Sequence, residues 1–147
     1  MKLLSMFAAI FAACAALCLP SAWAEIGQIK NVTGQVFLLR NHVQQRAKAG
    51  DLVEQADVLT TGPDGSVGIT FIDNSRFSAG PNSRIELTQF RFNSTTQEGE
   101  FTTDVKRGTL AIVSGQMAKR SPDAMKVITP TTILGVRGTT FAVKVDE

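Results

Sequence analysis

Beyond residue 24 the chain alternates. Val67, Ile69 and Phe71 share one face of a period-two pattern, with Gly68 and Thr70 on the other. Phe101, Thr103 and Val105 oppose Glu100, Thr102, Asp104 and Lys106. Near the end, Phe141, Val143 and Val145 alternate with Ala142, Lys144 and Asp146. These runs predict strands over 67–72, 101–106 and 139–145, with others over 76–79, 110–113 and 127–129. A first strand is predicted over 32–39, bent at Gly34. Its Val36-Phe37-Leu38-Leu39 core is apolar at every position, the pattern of a strand covered on both faces. Turn chemistry separates the runs: Arg40-Asn41-His42, Gly62-Pro63-Asp64-Gly65, Asp73-Asn74, Gly80-Pro81-Asn82 and a polar loop over 93–98. Ile85 and Leu87 point one way, but Phe90 and Phe92 break their parity, so a bulge or sharp bend is predicted near Thr88-Gln89. The polar stretch 114–123 has room for one helical turn before Ser121-Pro122. No window of the alternating region holds a helical stripe over three turns.

The predicted class is therefore all-β. Gly-x-aliphatic openings recur at Gly34-Gln35-Val36, Gly108-Thr109-Leu110 and Gly138-Thr139-Thr140-Phe141. They favour a twisted β-roll or solenoid-like stack of short strands, with a β-sandwich as the alternative.

The first 24 residues follow different rules. Lys2 is followed by an uncharged apolar run from Leu3 to Leu19, then Pro20-Ser21 and the small-x-small triplet Ala22-Trp23-Ala24. This is the anatomy of a secretory signal peptide, with cleavage expected after Ala24 and a periplasmic destination. A competing route is acylation at Cys14, which would anchor the protein. Cleavage leaves a single expected domain over 25–147, which is 123 residues (147 less 24). Both cysteines, Cys14 and Cys18, leave with the signal, so disulfides and thiolate chemistry are excluded from the mature chain. The net charge of +2 falls to +1 without Lys2, a balance that argues against nucleic acid or an anionic membrane as the main partner. No later stretch is long and apolar enough for stable membrane insertion.

Catalytic constellations are hard to find. His42 is the one histidine and sits in a polar turn, which reads as a surface residue and makes a zinc site improbable. Asp51, Asp57, Asp64 and Asp73 stand at strand ends or turns, where aspartate caps backbone N–H groups. Asp73 with Glu86 is the nameable pair for a carboxylate hydrolase, though nothing singles it out. Gly135-Val136-Arg137-Gly138 has the outline of a nucleic-acid-clamping loop but lacks the flanking helices that loop needs. Arg137 lies in an otherwise uncharged run from Val127 to Val143. It reads either as an internal hydrogen bond closing a turn or as a cation facing a ligand or partner. Lys106-Arg107 and Lys119-Arg120 read as solvated loop pairs, or as a patch for an acidic partner. Asn31-Val32-Thr33 and Asn93-Ser94-Thr95 are formal glycosylation sites, expected to stay unmodified in a periplasm. No cofactor and no metal is expected.

Several segments together resemble FecR-type domains. They are Gly50-Asp51, the run from Ala56 to Gly62, the run from Gly65 to Ser75, Gly108-Thr109-Leu110, and the distinctive ending from Val127 to Val143. The positions carrying the pattern are Gly62, Asp73, Gly108, Pro130, Gly135, Arg137, Gly138, Thr139 and Phe141. The resemblance implies an all-β periplasmic domain that contacts other proteins. In the best-known members it sits in a transmembrane regulator that relays transporter occupancy to a sigma factor. Here the cytoplasmic sigma-binding segment, a retained membrane helix and any domain after Val143 are missing from the pattern, so the fold and a protein-contact role are what carry over. The expected function is an exported binding module in envelope sensing or signalling, its partner a receptor, transporter or sensor, with Arg137 as the candidate contact. The alternative is a carrier of envelope lipid or glycan, with an apolar cleft for acyl chains. The resemblance supplies no catalytic residue, and the protein is not expected to be an enzyme.

Overall fold

Alternation of this kind needs a curved surface to close on, and a curled sheet provides it. The computed structural model describes residues 24–137 and 140–146. Its elements are β1 (Glu25–Thr33), β2 (Val36–Arg40), β3 (Val43–Arg46), β4 (Leu52–Glu54), β5 (Val58–Thr61), β6 (Ser66–Phe71), β7 (Arg76–Ala79), β8 (Arg84–Phe92), β9 (Gly99–Val113), α1 (Gln116–Arg120), β10 (Met125–Ile128), β11 (Ile133–Gly135) and β12 (Thr140–Val145). The all-β expectation holds, in its rolled form: the strands make one strongly curled, mostly antiparallel sheet. One limb runs β4-β1-β6-β7-β9 with β12 beyond; the other runs β3-β2-β5-β8-β9 with β10 and β11 beyond.

Strand β9 belongs to both limbs. Its first part pairs with β8 and β10, and from Gly108 onward it pairs with β7 and β12. The handover needs a sharp change of direction, and Gly108 supplies it at φ +88°. A Cβ there would overlap Ser83. The sequence pattern ends one strand before this glycine and starts another after it. The structure bends the strand without ending it, because pairing partners are present on both sides of the bend. At Gly34 the opposite holds. The predicted 32–39 strand is broken, since Gly34 takes φ +65° and its Cα lies against Asp64. β1 starts earlier than predicted, at Glu25, and two register shifts scramble its alternation. The predicted irregularity in β8 is present as a shift between Glu86 and Gln89, which lets Ile85, Leu87 and Phe90 all point inward.

The core is a single apolar cluster fed by both limbs. At its centre Phe101 of β9 meets Phe71 of β6 at 4.7 Å between ring centres, Phe90 of β8 at 4.8 Å and Phe77 of β7 at 5.0 Å. Edge-to-face and offset contacts of this kind add to simple burial. In β2, Val36 and Leu38 are fully buried, but Phe37 and Leu39 are only half-covered. The predicted two-sided cover is therefore absent; the strand has an inner face and a partly open outer one.

Buried polar groups tie the limbs together. Ser83 Oγ donates its one proton to Gly80 C=O (2.8 Å) and lies 3.2 Å from Thr109 C=O, while Thr109 N–H donates to it at 3.0 Å. Ser83 N–H donates to Thr61 Oγ1, whose own hydroxyl donates to Gly80 C=O at 2.6 Å. Elsewhere the Arg40 guanidinium grips buried Asp57 through two hydrogen bonds of 2.8 and 2.6 Å. It also reaches Leu52 C=O at 2.9 Å and Glu54 at 3.1 Å. The hydrogen bond to Asp57 holds the Arg40 pKa above its ordinary value, opposed by partial burial.

Two stability predictions follow from these ties. Gly108→Ala should cost about 2 kcal/mol or more in urea unfolding, because positive φ and the overlap with Ser83 act together. Gly135→Ala, where an added Cβ meets nothing within 4 Å, should stay within about 0.5 kcal/mol. Equal effects would refute the crossing-point assignment. Arg40→Met should cost about 2 kcal/mol, discounted for the partial exposure of the pair, by stranding Asp57. Arg40→Met with Asp57→Leu should recover part of that loss, and strict additivity in the cycle would show that the two do not interact.

Candidate functional site

A two-residue hairpin shapes the most exposed strand. Asn41 and His42 both adopt positive φ, 50° and 64°, between the paired residues Arg40 and Val43. That is the geometry of a type I′ turn, which asparagine accepts readily and histidine tolerates better than most residues. His42 therefore has a backbone role at a hairpin tip. In such hairpins the closing pair is hydrogen-bonded, and bonded pairs then recur at every second position. Along β3 the bonded positions are Val43, Gln45 and then Ala47, whose N–H donates to Val36 C=O at 2.9 Å. The alternate residues, Gln44 and Arg46, thus turn their N–H and C=O groups away from β2.

β3 is the outermost strand of its limb and pairs with β2 alone. All four of its residues are exposed, Val43 to 65 %. Arg46 stands beside Phe37 and Gln44 beside Leu39 on the outer face of the limb. At the Arg46 end lies an open groove of about 630 Å³, lined by Val32, Gly34, Arg46, Ala47, Lys48 and Ala49. The lining has two cations and no carboxylate. The Arg40 grip fastens the turn end of the hairpin to the β4–β5 corner, so the edge is held at its tip. This edge was not foreseen, because Val43-Gln44-Gln45-Arg46 reads as polar loop. The overlooked signal was an Asn-containing turn after an apolar strand, which implies a returning strand.

The other free edges differ in length and side-chain cover. β4 and β11 have three residues each, although Ile133 on β11 is 68 % exposed. β12 has six residues, with Phe141 and Val145 half-covered. A second groove, of about 580 Å³, lies between the 93–98 loop and the 121–124 segment, with Phe92, Arg91, Glu100 and Asp123 on its walls.

The residues singled out in the sequence fall in separate places. Gly62 closes the turn before β6, accepting from Gly65 N–H at 3.0 Å. Asp73 is fully buried, accepting from Ser75 N–H (3.0 Å) and Ser75 Oγ (2.7 Å). Ser75 Oγ in turn accepts from Gly115 N–H, and Asp73 C=O from Gln116 N–H, which ties the β6–β7 turn to the start of α1. Glu86 sits in the other limb, opposite Asp104, so no carboxylate pair forms with Asp73. Asp51, Asp57 and Asp64 accept from the N–H groups of Lys48, Glu54 and Gln35, as turn aspartates do. Pro130 is exposed at the tip of the β10–β11 hairpin, and Gly135 ends β11 in open space. Arg137 closes no turn through a buried hydrogen bond. Its side chain is 75 % exposed, with Asp123 at 3.8 Å as an equally exposed counter-charge. The cation-facing-outward reading is the one its geometry fits. Gly138 and Thr139 lie outside the described residues. Phe141 packs against the core from β12.

The basic pairs do not merge into one patch. Lys106 pairs with Asp104 at 2.7 Å, a hydrogen bond that raises its pKa, and Arg107 is half-buried on β9. Lys119 and Arg120 are exposed in the last turn of α1. Asn93 Oδ1 accepts from Thr95 and Thr96 N–H, so it shapes its own loop.

Among the described residues no group of three His, Asp or Glu side chains is placed to hold a metal ion. No helix among them is long and apolar enough to cross a membrane. No curated protein and no solved structure matches the chain. The family model described as FecR protein matches residues 57–147, from the buried Asp57 through β12. That span covers more than half of the sequence and contains the crossing glycine, the aromatic core and the distinctive ending, and the chain therefore belongs to the FecR family.

Proposed function

We propose that this protein is an exported envelope module that works by docking another protein through strand addition at β3, without catalysis of its own. The observation that carries the reading is the outward-facing backbone of Gln44 and Arg46 on an exposed outer strand. A strand edge in this state is a ready template for an extended segment of a partner, which gains main-chain hydrogen bonds from it. Membership of the FecR family supports a role in envelope sensing or signalling. The lipid-carrier alternative draws less support: the interior between the limbs is filled by four phenylalanine rings, and the larger grooves are open surface features.

Export is proposed from the sequence, with processing after Ala24. Ordered pairing begins at Glu25, the first residue of β1, so this cleavage would leave every described strand intact. Intact mass of the protein recovered from its native host should give a chain starting at Glu25. An acylated Cys14 or a retained Met1 would replace the freely diffusing form with an anchored one.

Docking at β3 is tested by photo-crosslinking in cells. A photoreactive residue at Gln45 should give a discrete adduct that disappears when Gln44→Pro is added. The same probe at Ser78, exposed on the opposite limb, should give none. Equal yields at the two positions, or an adduct that survives Gln44→Pro, would remove β3 from the interface.

A further inference from the structure

We infer that the strand received by β3 is an extended acidic segment with the order acid-x-x-aliphatic, its carboxylate opposite Arg46 and its aliphatic side chain opposite Val43. The inference rests on the strand-addition reading and adds the chemistry of the incoming chain.

The register fixes the spacing. Arg46 and Val43 are three residues apart on β3 and pair with Phe37 and Arg40 on β2. An antiparallel strand added outside β3 runs in the reverse sense. The residue opposite Arg46 therefore comes first, and the residue opposite Val43 three positions later. Antiparallel addition continues the pattern of this limb, where β3, β2, β5 and β8 all pair that way, and it is the slightly stronger mode.

Charge fixes the first position. Arg46 and Lys48 share the groove at this end of β3, and no carboxylate lines it. Among the described residues neither side chain is in an ion pair. The nearby acids are engaged with backbone: Asp51 accepts from Lys48 N–H, and Asp64, which lies against Gly34, accepts from Gln35 N–H at 3.4 Å. An incoming carboxylate beside Arg46 would thus meet two cations that no carboxylate among the described residues holds in an ion pair, and Arg46 suits it as a planar two-point donor.

Exposure fixes the fourth position. Val43 is 65 % exposed, among the most exposed large apolar residues described. It closes a hairpin whose tip is polar, so no neighbour covers it from the free side. An aliphatic residue directly across would remove apolar area from water on both strands. The residue opposite Gln44 would be polar, matching its amide.

The test uses the mature protein and three short blocked peptides: Glu-x-x-Val, Lys-x-x-Val, which changes the first position alone, and the reversed order Val-x-x-Glu. Binding is read by fluorescence anisotropy at low and high salt. Wild type should prefer Glu-x-x-Val over Lys-x-x-Val by about tenfold at low salt, with the preference shrinking as salt rises. Arg46→Glu should reverse the order, and Gln44→Pro should abolish binding of every peptide. Unchanged circular dichroism and thermal midpoint in both variants show that the fold is retained. Equal binding of the Glu and Lys peptides, lost in Gln44→Pro, would overturn the charge rule while leaving strand addition standing. Preference for Val-x-x-Glu would overturn the antiparallel order. Binding that survives Gln44→Pro, or no binding at all, would overturn the docking edge itself.

Discussion

The fold depends on one strand being shared. β9 can serve two limbs only if its backbone turns sharply in the middle while its side chains stay inside on both halves. A glycine at positive φ meets the first demand, and the register shift beside it, between Arg84 and Ile85, helps with the second. The close approach this allows puts Ser83 against the bend, where its hydroxyl donates to Gly80 C=O and accepts from Thr109 N–H. Polar groups sealed in such a place stabilise only when every one is satisfied. The cluster of Thr61, Ser83, Gly80 and Thr109 meets that condition through short, reciprocal hydrogen bonds.

The four-phenylalanine centre is the apolar counterpart of the shared strand. Two rings come from one limb, one from the other, and Phe101 from β9 touches all three. Because the rings occupy the space between the limbs, recognition is pushed outward, to loops and edges. Among the edges, β3 is exposed along its whole length and is held at its turn end, where Arg40 is gripped by a carboxylate that is itself out of water.

Much of this was legible in the residues. Clean alternation marked β6, the first half of β9 and β12, and broken parity marked the bulge in β8, because period two leaves no other way to bury Ile85, Leu87 and Phe90 together. The turn aspartates and the single helical turn were legible for similarly local reasons. The failures also have causes. β1 was shortened because bulges erase the very periodicity that announces a strand. β3, β4, β5 and β11 are only three or four residues long, too short for a pattern to form. β3 was missed because an outer strand with two solvated faces carries no apolar signature at all. Arg137 shows the limit of reading charge in context: an uncharged stretch of sequence left a turn-closing role and an outward-facing one both open, and the structure places the side chain at the surface.

The position of β9 in the chain also has a consequence for timing. Strands β1 to β8 precede it, and neither limb has its central neighbour until residues 99–113 arrive. Three aromatic rings, Phe71, Phe77 and Phe90, precede the fourth, Phe101, that touches them all. β9 then joins β8 across the short 93–98 loop and reaches back to β7 past its bend, so one strand closes both limbs. The joining of the two limbs thus waits on a single segment, the strand that both of them share.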